Sequence, residues 1–173
     1  MDKMDAVKRR RRILGEIERG EGPVSASLLA KALGVSRQII VGDVALLRAQ
    51  GHDIIATARG YIVPELKAPN QFVGKIASHH GPDGTRAELY EMVDMGAVVI
   101  NVIVEHELYG EITGQLNVRS RADADAFAEA AAAVKLLSEL TMGIHLHTIA
   151  CRDNAHFEQV RQKLDAAGYL YRG

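Results

Sequence analysis

A chain of 173 residues, 47% hydrophobic and 25% charged, has the balance of a globular protein and holds one good-sized domain or two small ones. The single cysteine, Cys151, excludes an internal disulfide framework. No apolar run approaches a membrane span and no signal-peptide core follows the charged first residues, so the expectation is a cytoplasmic protein without membrane contact. The net charge of −1 hides an asymmetry: residues 1–63 carry 11 Lys+Arg against 7 Asp+Glu, and residues 64–173 carry 10 against 15. A basic front suits a polyanionic partner, and an acidic back suits a different one.

In chain order, Lys8-Arg9-Arg10-Arg11-Arg12 opens a helix with apolar Val7, Ile13, Leu14 and Ile17. The breaker cluster Gly20-Glu21-Gly22-Pro23 stops it. Ser25 or Ser27 caps a second helix carrying Leu28, Leu29, Ala32 and Leu33, and Gly34 turns the chain. Ser36 then caps a third helix with Ile40, Val44 and Leu47 on one face, a helix-turn-helix pattern. Arg37, Gln38 and Val41 lie on its opposite face, where a recognition helix meets base edges: Arg reads guanine and Gln reads adenine. Asp53–Thr57, a turn at Ala58-Arg59-Gly60, and Tyr61–Val63 form a hairpin "wing" with Arg59 at its tip. With Ser36 at the cap, the candidate contacts to double-stranded DNA are Ser36, Arg37, Gln38, Val41 and Arg59. Two other readings are a small helical protein-interaction domain and a basic run that is only a solvated face.

Residues 64–71 hold two of the four prolines and little apolar content, and read as a linker. Beyond them a strand runs from Phe72 to about His80, a helix from Thr85 to Met95, and strands over Ala97–Glu105 and to Val118. A long helix from Ala122 to near Leu140 follows, then the strand bearing His145 and His147, and a last helix over Asp153–Ala167. That order is βαββαβα, an α+β arrangement with helices on one face of a mainly antiparallel sheet.

His145-Leu146-His147 stands out in this module. Alternate strand residues share a face, so both imidazoles project to one side with backbones about 6.8 Å apart. Such a pair suits convergence on a transition metal, although an isolated pair is as readily explained by ordinary surface histidines. In the first helix Leu89, Met92 and Val93 form the buried face, Glu88 lies at its edge and Glu91 in solvent. Glu88 is therefore the carboxylate able to reach a site between helix and sheet. His79 and His80 point to opposite faces of the preceding strand, and spacing does not choose between them. Cys151 lies about 13 Å along the strand from His147 and reads as a buried small apolar residue. His52 and His156 read as ordinary.

Val35–Ile40, Leu46–Gly51, Ile55-Ala56-Thr57 and Arg59-Gly60-Tyr61 resemble the winged helix of biotin-repressor-like regulators. Gly42 departs from that pattern. His80 through Glu88-Leu89, Val93-Asp94, Val102–His106, Tyr109-Gly110-Glu111 and Gly143–Thr148 resemble the three-histidine (3H) domain, over essentially all of residues 72–173. The order of the two domains is that of the niacin-responsive repressor family. The resemblance implies an HPr-like open-faced sandwich and a divalent-metal site of three histidines and one glutamate. Carried over, that site falls on His80, Glu88, His145 and His147, the eight-residue step from the first histidine selecting His80. It further implies a homodimeric repressor of genes for NAD biosynthesis and uptake, with nicotinic acid as effector. Zn, Ni and Fe(II) all suit such ligands. For the effector, the expectation is a pyridine nitrogen on the metal, a carboxylate paired with Arg121, and His106 lining the pocket or orienting a ligand.

Two rivals share the same residues. A metallohydrolase fused to a DNA-binding domain would need a general base, with Glu105 and Glu107 nearby in sequence. A purely structural metal would make the domain unfold on chelation and leave DNA affinity blind to small molecules.

Overall fold

The computed structural model describes residues 5–64 and 71–173; most of the expected linker at 64–71 lies outside them. The chain divides near residue 66 into two compact units.

The first unit contains α1 (Ala6–Arg19), α2 (Ala26–Leu33), α3 (Arg37–Ala49) and the hairpin β1 (Ile55–Thr57) and β2 (Gly60–Ile62). Ser25, not Ser27, caps α2 by accepting from Leu28 N at 3.1 Å, and Ser36 caps α3 by accepting from Ile39 N at 3.3 Å. Gly34 closes α2 at φ +65, the left-handed turn that joins the two helices. The core holds Ile13, Ile17, Leu29, Ile40, Val44 and Leu47. On α2 the inner face is Leu29, Ala30 and Leu33; Leu28, expected inside, is 61% exposed, and Ala32 is exposed too. Val7 is likewise exposed, because the first turn of α1 extends past the core. Val24 pairs with Tyr61 through hydrogen bonds of 2.9 Å in both directions, adding a third chain segment to the wing. Gly60 permits this approach, since a Cβ there would stand 2.5 Å from the Val24 backbone at φ +143.

The second unit contains β3 (Phe72–His79), α4 (Thr85–Asp94), β4 (Val98–His106), β5 (Gly110–Val118), α5 (Arg121–Ala131), β6 (Ile144–Cys151) and α6 (Asn154–Ala166). Short 3-10 turns at Pro82–Gly84 and Leu137–Thr141 connect some of them. The sheet is antiparallel throughout, in the order β3-β6-β4-β5. Ile76, Val99 and Ile149 from the sheet meet Leu89 and Met92 of α4 and Val160 and Leu164 of α6 in one core. With its βαββαβα order, this is the open-faced sandwich expected from sequence.

Two expectations are corrected. The alanine-rich helix does not run to Leu140 but ends at Ala131. Alanine favours helix but offers little to bury, and the exposed stretch after Ala131 has no core contact to continue it. Instead the Glu139 side chain accepts from Leu136 N at 2.7 Å and starts a separate 3-10 turn. In β4 the strict alternation of Val98, Ile100, Val102 and Val104 is broken by a bulge between Val99 and Asn101. Val99 pairs with Ile149 and Val102 with His147, two β6 residues on the same face, so Val99 and Val102 face the same way although three apart.

A candidate metal centre beside a cavity

The structure brings His80, Glu88, His145 and His147 together. β6 carries two of them on its helix-facing side, opposite Ser78 and Ile76 of β3. β3 ends just before His80, and the first turn of α4 supplies Glu88. Each histidine makes the same backbone contact: Nδ1 of His80 meets Gly81 O at 2.7 Å, that of His145 meets Gly143 O at 2.9 Å, and that of His147 meets Asn101 O at 2.9 Å. A carbonyl only accepts, so each Nδ1 is the protonated nitrogen and each Nε2 is turned inward. The three Nε2 atoms converge on Glu88 Oε2, at 2.5 Å from His80 and 3.3 Å from each of the others. An imidazole held through Nδ1–H to a carbonyl, with Nε2 facing a carboxylate, is the arrangement of a metal-ligating histidine.

Glu88 is not at the edge of its helix face but fully buried, with 0% exposure. Burial, the largest single influence, pushes its carboxyl up, yet the facing imidazoles together hold it well below the usual carboxylate range. Burial also disfavours protonated His80 and His147, but the Glu88 charge and hydrogen bonds outweigh it and raise both above 6.5. Glu88 Oε1 is buried and has no partner among the described residues. A divalent cation would resolve all three features: it would neutralise the carboxylate, take the inward Nε2 lone pairs and offer a partner to an orphaned oxygen.

His79 is separated from this cluster. It is exposed on the other face of β3, with Nε2 at 3.2 Å from Met142 O. Two glycines, Gly84 and Gly143, shape the site. A Cβ on Gly84 would lie 2.9 Å from the His80 ring, and one on Gly143 would lie 2.4 Å from His80 O at φ +91. Gly84, at the end of the loop Gly81-Pro82-Asp83-Gly84, packs against the His80 imidazole.

The cluster opens into a cavity of about 200 Å3. Its walls include Val102, Leu116, Phe127 and Leu137, with Gln115 and Ser138 as polar points and Lys135 at an exposed position. The two expected effector contacts are not among its lining residues. Arg121 is 60% exposed, donates to Asp94 at 2.8 Å and lies over the Tyr90 ring at 4.4 Å, so α4 has taken its guanidinium. His106 folds over the β4–β5 turn, where Nδ1 accepts from Leu108 N at 3.2 Å and Tyr109 N at 3.4 Å. Glu105 is exposed and paired across the strands with Glu111, and neither it nor Glu107 lines the cavity. Cys151 is buried in the core, and burial raises its thiol to about 11. His156 is structural: it accepts from Arg152 N through Nδ1 at 3.1 Å and donates through Nε2 to Met95 O at 2.6 Å.

In the first unit, Arg37 and Gln38 are exposed at the start of α3, Val41 is half-buried, and Arg59 is half-buried in the wing turn. Ile39, on the same first turn, is 42% exposed. Arg9 and Arg10 of the basic run are engaged by buried Asp43 of α3, at 2.5 and 3.4 Å, so the run is partly an internal tie.

A winged helix-turn-helix followed by a domain with a buried ligand-type cluster defines a DNA-binding transcription regulator. Residues 9–62 match the helix-turn-helix domain family and residues 73–173 the 3H domain. The chain is 36% identical to the transcription repressor NadR of Bacillus subtilis, over 97% of this chain and 96% of that protein. It is 38% identical to the probable transcription repressor NiaR of Thermotoga maritima, over 94% and 93%. The chain belongs to this family of repressors that join a helix-turn-helix to a 3H domain, and it is a regulator, not an enzyme. Among the described residues no helix is long and apolar enough to cross a membrane.

Proposed function

We propose that this repressor is a metal-dependent sensor of nicotinic acid that controls genes of NAD biosynthesis and uptake in the cytoplasm. His80, Glu88, His145 and His147 hold one divalent ion, Ni, Zn or Fe(II), with a position left for the effector's pyridine nitrogen. The observation that carries this reading is the threefold repeat of Nδ1–H to carbonyl bonds that turns three Nε2 atoms onto one buried carboxylate oxygen. The adjoining cavity, about 200 Å3, lies below the roughly 300–1,000 Å3 of drug-sized sites and suits a single ring better than a dinucleotide. Nicotinic acid itself enters from the family resemblance.

The protein acts as a homodimer on a pseudo-palindromic operator, with Ser36, Arg37, Gln38, Val41 and Arg59 at the DNA in each half-site. Effector binding shifts the heads between arrangements that differ in operator affinity, since a ligand moves only an equilibrium it binds differentially. The test is the double substitution His145→Ala/His147→Ala in full-length protein. It should lose bound metal and lose any change in DNA affinity on adding nicotinic acid, while residual DNA binding persists. A full nicotinic acid response in metal-free double mutant would refute the proposal. Chelation that unfolds the wild-type domain, with DNA affinity indifferent to nicotinic acid, would favour a purely structural ion.

A further inference from the structure

The cavity beside the histidine cluster has a polarity along its depth. His145, His147 and Glu88 are buried at its inner end, whereas Lys135 lines it from an exposed position. The rest of the lining is chiefly apolar, with Val102, Leu116, Phe127 and Leu137. Lys135 is the one Lys or Arg among the described lining residues and has no ion-pair partner among the described residues. The other cations nearby are committed: Arg121 to Asp94, and Arg86, on the groove outside the cavity, to Asp125 at 3.4 Å. The backbone next to Lys135 is anchored: Leu136 donates its N–H to Glu139 at 2.7 Å and lines the cavity with Leu137.

Resting on the sensor reading above, we infer that Lys135 is the specificity residue of this pocket and selects an aromatic monocarboxylate over its neutral amide. With the ring nitrogen on the metal, as the sensor reading has it, the carboxylate lies away from the inner end, and burying it there without a partner would cost its hydration. A flat ring whose neutral donor atom enters first leaves its carboxylate at the mouth, where the Lys135 ammonium meets it. At that exposed position the pair is a surface contact, worth up to about fivefold in affinity. A carboxamide in the same pose keeps a hydrogen bond to the ammonium but forms no charge pair.

The experiment titrates nicotinate and nicotinamide separately into metal-loaded full-length wild type, Lys135→Met and Lys135→Arg, with bound metal measured for each. Wild type should prefer nicotinate. Lys135→Met should lose about twofold to fivefold in nicotinate affinity, leave nicotinamide nearly unchanged and retain its metal. Lys135→Arg should keep the preference, and the wild-type preference should shrink as salt is raised. Binding of nicotinate by wild type with an unchanged acid-to-amide ratio in Lys135→Met overturns the assignment of Lys135 alone. An equal loss for both ligands does the same. Wild type that binds neither compound overturns this inference together with the sensor reading.

Discussion

The carbonyl oxygen of Gly143 sets the ring of His145, accepting its Nδ1–H at 2.9 Å, and the same oxygen accepts His80 N at 3.3 Å. One left-handed glycine thus registers two of the three imidazoles. A Cβ there would stand 2.4 Å from His80 O, and φ is +91, so Gly143→Ala must move one strand end. We expect metal affinity to fall about 10–100-fold, as for loss of an orienting contact, in a protein that still folds. Competition against a chromophoric chelator measures it; unchanged affinity would show that Gly143 is only a turn.

Protons compete with metal at this site in a definable direction. His80 and His147 are raised above 6.5 by Glu88, so in the metal-free protein they contribute stability that is full below about 6.5 and is lost as pH rises through their raised values. Glu88, held low, contributes stability that is present above the ordinary carboxylate value and is lost as pH falls through its own lowered one. The metal-free domain should therefore be most stable between these limits, in mildly acidic solution. Metal displaces the imidazole protons, so its apparent affinity should rise with pH through that upper window and release protons. Calorimetry in two buffers of different ionisation enthalpy measures the release, and Glu88→Gln should diminish it. Equal heats in both buffers for the wild type would contradict the account.

Asp43 is 4% exposed and holds Arg9 at 2.5 Å and Arg10 at 3.4 Å, tying α1 to the recognition helix. Asp43→Ala leaves two partly buried guanidinium groups without their carboxylate. The expected cost is about 1–3 kcal/mol in denaturant unfolding of the first unit, with DNA binding weakened alongside. A cost below 1 kcal/mol would mean that the tie is an ordinary surface pair.

Gly42 sits in the exposed middle of α3, and a Cβ there meets nothing within 4 Å. Gly42→Ala should therefore stabilise the helix by about 1 kcal/mol, read as a higher unfolding midpoint. If the open space serves close approach to DNA, the same variant binds DNA more weakly despite its greater stability. A lower midpoint would show a contact that the structure does not contain.

Much of this was legible because period and punctuation are local signals. Caps at Ser25 and Ser36, the left-handed turn at Gly34 and the alternation of His145 and His147 follow from neighbours in the chain. What escaped was non-local. Glu88 looked like an edge residue because helical spacing does not show that three imidazoles from other elements cover it. Arg121 looked available because its partner Asp94 lies 27 residues away on another helix. The α5 end at Ala131 was hidden by alanine's helix preference, which carries no information about what the following Leu136 and Leu137 will pack against. The Lys135 position depends on that same turn.

The most direct test of the central claim is isothermal titration of nicotinic acid into metal-loaded full-length protein, repeated after chelation. The account predicts saturable binding, one ligand per chain, that disappears with the metal and returns when the metal is restored. Equal binding with and without metal, or none in either state, would contradict it.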